Sequence, residues 1–177
     1  MINQADNLIL QAYYTTSLIA ELKNNRFLES NFFQDMTFDQ PAIKEELKTV
    51  GVDNQGAALM VLYAMLVIPR EILKEKYTAE YVALDGFLQG VVTNTATNYP
   101  SDSPNINFVR HIRNSVAHAQ VEFSPNNYIL FRDKDDKKGY QFETRLPLSF
   151  LGAFIGKLQR IHMSYVADRR LEVGNQG

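Results

Sequence analysis

Cysteine is absent from this chain of 177 residues, which excludes disulfides, Cys-based metal sites and thiol catalysis. That suits a reducing compartment, and a cytoplasmic location is the expectation. The opening residues, MINQADNLIL, carry no basic stretch ahead of an apolar run and do not read as a secretory signal. The longest apolar run, about residues 57–68, is too short to span a bilayer and reads as a buried core helix, so no membrane association is expected. Excess positive charge is missing too. Eighteen Lys and Arg against 20 Asp and Glu leave a formal charge of −2. Any charge that meets nucleic acid must therefore be local, which weighs against a high-affinity scaffold and less against transient contact. There is no His-Glu-x-x-His helix, no glycine-rich phosphate loop and no Gly-x-Ser-x-Gly elbow. A metal site from His111, His118 and a carboxylate such as Glu122 has no recognised ligand spacing behind it, so no metal and no other cofactor is expected.

No internal repeat or long linker divides the chain, which reads as one domain over residues 1–172 with a frayed tail at 173–177. Helical periodicity dominates. Residues 3–26 place Leu8, Ala12, Thr15, Ile19 and Leu22 on one face. A short helix is expected from Pro41 to Val50, ended by Gly51. The next runs over about 53–68, where Pro69 breaks it. Another over about 78–97 carries Tyr81, Leu84, Leu88 and Val91. After a loop at 98–104, Ser103 as cap and Pro104 as first residue open a helix over about 104–122. The period then changes. Residues 128–132 and 140–144 read as two strands around a charged, solvated turn at 133–139. A last helix starts near Pro147 with the stripe Leu148, Leu151, Ile155, Leu158, His162 and Tyr165. The fold expected is all-α: an antiparallel helical bundle with a small β-hairpin inserted before the last helix.

The most informative segment is residues 108–120. Phe108, Ile112, Val116, Ala119 and Phe123 form a core-facing stripe on the expected helix. Arg110, Asn114 and His118 recur every four residues on another side, continued by Glu122, with His111 and Ser115 beside the row. Such a face suits RNA cleavage by the RNA's own 2′-hydroxyl, which needs a proton acceptor, a proton donor and positive charge at the phosphate. An imidazole titrates near pH ~6.5 and serves as acid or base. A guanidinium offers permanent charge and a planar fork to phosphate oxygens. Arg113 and His118, five residues apart, leave a helix about 140° apart. They converge on one phosphate through the length of the arginine, or when two copies of the helix face each other across a two-fold axis.

The run Arg113-Asn114-Ser115-Val116-Ala117-His118 resembles the HEPN superfamily, whose pattern is an arginine, four to six residues and a histidine, often with Asn after the arginine. The strict form arises by accident in about one chain in a hundred of this size. The resemblance implies a helical bundle, often dimeric, and a metal-independent endoribonuclease of a kind frequent in toxin–antitoxin and phage-defence systems. It also implies catalytic roles for Arg113, His118 and Asn114. Arg110, Ser115 and His111 are candidates for substrate binding. The expected partners are an RNA substrate, a second copy of the chain and an antitoxin protein.

Plainer readings stand beside these. His118 is a buried, satisfied histidine if the motif is accidental, and Arg113 then pairs with an acidic neighbour. Asn114 braces the helix as readily as it touches substrate. Arg110 and His111 read as solvated surface residues, with Arg110 available to RNA. His162, on an apolar stripe, reads as a core histidine. An inactive module on the same bundle, binding RNA, a nucleotide or a protein, is the alternative to the nuclease.

Overall fold

The computed structural model describes residues 4–174. The order of elements is α1 (Gln4–Asn24), α2 (Asn31–Asp35), α3 (Pro41–Val50), α4 (Gln55–Leu62), α5 (Arg70–Lys76), α6 (Thr78–Val91), β1 (Thr93–Thr97), α7 (Phe108–Ala117), β2 (Val121–Ser124), β3 (Tyr128–Asp135), β4 (Tyr140–Pro147) and α8 (Leu151–Gly174). Of the expected tail, residues 173–174 end α8, and residues 175–177 lie outside the described residues.

The all-α expectation is overturned. Four strands form one antiparallel sheet in the order β1-β4-β3-β2, so the architecture is mixed α/β rather than a bundle with one small hairpin. The expected hairpin is its centre, with Tyr128 opposite Pro147 and Asp135 opposite Tyr140. The strand β1 and the first half of β2 come from segments read as helix. Residues 93–97 alternate Thr-Asn-Thr-Ala-Thr, and β-branched residues at every second position suit a strand. There β1 pairs with the outer edge of β4, Thr97 opposite Phe142. Residues 121–124 pair with β3, Val121 opposite Phe131.

The helix carrying the motif is shorter than expected. Ser103 and Pro104 do not begin it; Asn107 does, its side chain accepting from the Arg110 amide at 2.8 Å. It ends at Ala117. Ala119 adopts φ 53°, the Ala119 amide donates to the Val116 carbonyl at 3.3 Å, and the Gln120 amide donates to the Ser115 carbonyl at 2.7 Å. That pair of bonds is the Schellman closure, usually built around glycine. Ala119 and Phe123 therefore leave the helical stripe, and Glu122 moves to β2, where it pairs with Arg132.

Phe108, Ile112 and Val116 are buried in one core shared by the helices and the inner face of the sheet, which supplies Ile129, Phe131, Phe142 and Leu146. The buried face of α1 is turned one residue from the expected stripe. Ile9 and Thr16 are interior and Leu8 is exposed, because Asp6 receives the Tyr165 hydroxyl of α8. Between α4 and α5, residues Tyr63–Val67 form a π-helical turn ahead of Pro69. A helix would give the Met65 carbonyl the amide of residue 69, which proline lacks. His162 of α8 fills the gap, its Nε2 donating to the Met65 oxygen at 3.1 Å. The expected core histidine thus mends a backbone break.

Candidate functional site

Helix α7 lies against β3, and the polar residues of its inner side form one connected network with the sheet and the loop before the helix. The imidazole of His111 is at its centre, fully buried and stacked on the Phe142 ring at 4.1 Å with an interplanar angle of 9°. Its Nδ1 lies 2.7 Å from Asp133 Oδ2, and its Nε2 lies 3.0 and 3.1 Å from the two oxygens of Asp102. A carboxylate only accepts, so Nδ1 carries a proton. Nε2 also lies 2.8 Å from the Arg110 guanidinium, accepting from it when bare and donating to Asp102 when protonated. Asp102 takes further hydrogen bonds from Arg110 at 2.7 Å and from the Thr97 hydroxyl of β1 at 2.6 Å.

These contacts correct two expectations. His111 is interior, not solvated, and Arg110 is held by Asp102 and by Ser101, at 2.9 Å, with its guanidinium 5.6 Å from the Tyr99 ring. Ser115 is also fully buried, its hydroxyl donating to the His111 carbonyl at 2.8 Å. Both side chains face the interior because the buried side of α7 is wider than the apolar stripe, taking in 111 and 115 beside 108, 112 and 116. The expected solvated turn loses its first residue in the same way. Asp133 continues the inward alternation of Ile129 and Phe131 and is 4% exposed.

Asp133 reaches the motif through Asn114. The Asn114 amide nitrogen donates to Asp133 Oδ2 at 2.9 Å. Its oxygen accepts from Arg113 twice, from Nε at 3.2 Å and from a terminal nitrogen. Asn114 thus grips its neighbour Arg113, not His118. Burial pushes the Asp133 carboxyl up, but hydrogen bonds from His111 and Asn114 and the nearby positive charges outweigh this and hold it below the usual carboxylate range.

Arg113 is half-buried at a cleft of about 40 Å³ that Arg110, Lys74, Asp85 and Leu66 also line. Asp85 of α6 accepts from the Val109 amide at 2.8 Å and so caps the start of α7. Burial raises its pKa, against the Val109 hydrogen bond and the charge of Lys74. His118 is not among the cleft's lining residues. It occupies the C-cap of α7, exposed, its amide bonded to the Asn114 carbonyl at 2.9 Å. The motif's arginine and histidine therefore end in different places within the chain: the first at the cleft, the second at the helix end.

Sequence reasoning missed Asp102, Asp133, Asp85 and Lys74. Asp133 had a signal in the period-two run from Ile129; the other three are brought in by tertiary packing. Among the described residues, no group of three or more His, Asp or Glu side chains gathers as a metal site, and no single helix is long and apolar enough to cross a membrane. No curated protein and no solved structure matches the chain. A family of HEPN domains, described as HEPN pEK499 p136, matches residues 1–169. With nearly the whole length covered and the Arg-Asn-x-x-x-His run lying inside it, the chain belongs to the HEPN superfamily.

Proposed function

We propose that this HEPN protein is a metal-independent endoribonuclease. The observation that carries the reading is the pairing of a guanidinium held in place with an open imidazole: Arg113 gripped by Asn114 at a cleft, and His118 exposed at the end of the same helix. Arg113 holds and neutralises the scissile phosphate. His118 moves the protons. A base takes the proton of the RNA 2′-hydroxyl, that oxygen bonds to phosphorus, and the 5′-oxygen leaves with a proton from an acid. The products are a 2′,3′-cyclic phosphate and a 5′-hydroxyl.

One histidine cannot be base and acid at once, and on one protomer His118 is apart from the Arg113 cleft. A two-fold dimer with facing α7 ends supplies a second His118 and a second Arg113 to one site. Arg110 contributes charge at the cleft. Control by an antitoxin protein, in a toxin–antitoxin or phage-defence setting, belongs to this reading.

The test is cleavage of varied RNAs by purified protein in chelator. The expected result is metal-independent cutting with cyclic phosphate ends, lost in His118→Ala, by a protein that sediments as a dimer. Undiminished cutting by His118→Ala, or strict need for a divalent metal, refutes it. The second reading is a non-catalytic binding module. It is favoured by the internal use of Arg110, His111 and Ser115, which leaves fewer groups for substrate. That reading wins if no RNA is cut while Arg113→Ala abolishes binding of a defined RNA or nucleotide.

A further inference from the structure

We infer that Asp133 is a positioning residue for Arg113, acting through the polarity of the Asn114 amide. This rests on the assignment of Arg113 to the phosphate. An Asn amide presents an oxygen on one side and an NH2 on the other, and rotation by 180° exchanges them at almost no steric cost. Only one orientation suits Arg113, which donates and never accepts. The oxygen must face the guanidinium, and it does, receiving both Nε and a terminal nitrogen.

Arg113 alone is a weak guarantee of that orientation, since a half-exposed arginine swings to water. The guarantee comes from the far side. Asp133 places an acceptor-only carboxylate 2.9 Å from the Asn114 nitrogen. The reversed amide would bring its oxygen against that charge and its NH2 against the guanidinium, two repulsions in place of attractions. Asp133 cannot itself rotate away. It is 4% exposed, and the oxygen that takes Asn114 also takes His111 Nδ1 at 2.7 Å, from a ring stacked on Phe142 and bounded by Asp102. Order therefore passes from the sheet to the motif: His111 fixes Asp133, Asp133 orients Asn114, and Asn114 aims Arg113.

The exchange Asn114→Asp/Asp133→Asn separates this role from generic stability. It keeps net charge and nearly the same atoms. The carboxylate at 114 accepts from Arg113, and the amide at 133 donates one hydrogen to that carboxylate and one to His111 Nδ1, the ring shifting its proton to Nε2, which then donates to Asp102 and no longer accepts from Arg110. Arg113 remains held. Asp133→Leu leaves the Asn114 amide free to turn and so loosens its grip on Arg113.

The readout independent of activity is the Arg113 Nε–H resonance in 15N-correlated NMR, assigned by its disappearance in Arg113→Lys. The expectation is a resonance protected from solvent exchange in the wild type, less protected in Asp133→Leu and restored in the exchange variant. RNA cleavage follows it, with kcat/KM falling about a hundredfold in Asp133→Leu, as for a displaced phosphate-binding group, and restored in the exchange variant. Folded Asp133→Leu with an unchanged Arg113 resonance overturns the inference. If Asp133→Leu does not fold, the exchange variant decides alone: a protected resonance supports the inference, and its loss overturns it. If the resonances behave as stated while no variant, wild type included, cuts RNA, the nuclease reading fails and the positioning role stands.

Discussion

Replacing His162 by Leu tests how the break ahead of Pro69 is mended. The imidazole is fully buried and donates to the Met65 carbonyl at 3.1 Å, the oxygen that Pro69 leaves without its helical amide. Leucine fills a similar volume and donates nothing. The variant therefore deprives a buried carbonyl of its side-chain donor, at a cost of up to about 1–3 kcal/mol, partly offset by removing the ring's own buried, unpartnered Nδ1. In a chain of this length each kcal/mol lowers Tm by about 2–4 °C, so the midpoint drops by up to about 12 °C. A second signature is in pH. Burial, opposed by the Met65 hydrogen bond, holds the His162 pKa below its ordinary value. The unfolded chain then binds a proton near pH ~6.5 that the folded chain refuses. This contribution is present above that pH and lost as pH falls toward the folded value, with a slope of at most about 1.4 kcal/mol per pH unit. His162→Leu removes that part of the slope. Urea unfolding of both proteins from pH 7.5 to 5 measures both effects. Pro69→Ala restores an amide at position 69, so the cycle of His162→Leu with Pro69→Ala shows favourable coupling. A variant as stable as the wild type, with an unchanged pH slope, refutes the account.

On the nuclease proposed above, His118→Ala lowers RNA cleavage by at least about a hundredfold while leaving Tm within about 2 °C, because the side chain is exposed at the helix end; kinetics and calorimetry on one preparation check both. Ala119→Gly raises stability by about 0.5–1 kcal/mol, since φ 53° strains alanine and not glycine, and an unchanged or lower urea midpoint contradicts the helix ending described. Asp133, whose folded pKa is lowered, contributes stability that is present above the unfolded value of about 3.9 and is lost as pH falls through the folded value. An acid titration of Asp133→Asn by near-UV circular dichroism therefore shows a flatter limb below about pH 4 than the wild type.

The two outer strands and the helix end escape a local reading of the sequence for the same reason. The alternation of Thr93, Thr95 and Thr97 was present in the sequence, but it follows a helix of good periodicity, and a local pattern continues until something opposes it. At the other end of α7 the usual stop is a glycine. Here Ala119 takes the left-handed conformation because β2 must turn back to pair with β3, and pairing energy from a strand ten residues away overrides local propensity. The burial of His111 and Ser115 was illegible for a related reason. Periodicity marks apolar residues, and polar residues join the interior only when partners meet them, here Asp102 and Asp133 from other elements.

By itself the sequence determined the helices with strong apolar periodicity, the central hairpin, the core role of His162, and the short Arg113-to-His118 run that marks the superfamily. Those features rest on neighbours three, four or two residues apart, so the chain carries them locally. Tertiary structure alone decided that a sheet backs the motif helix, that Asn114 grips Arg113, and that the acidic partners of the site come from α6, β3 and the loop before α7. A carboxylate's role depends on what is folded against it, and Asp133 becomes part of the site only because β3 carries it beneath α7, next to Asn114.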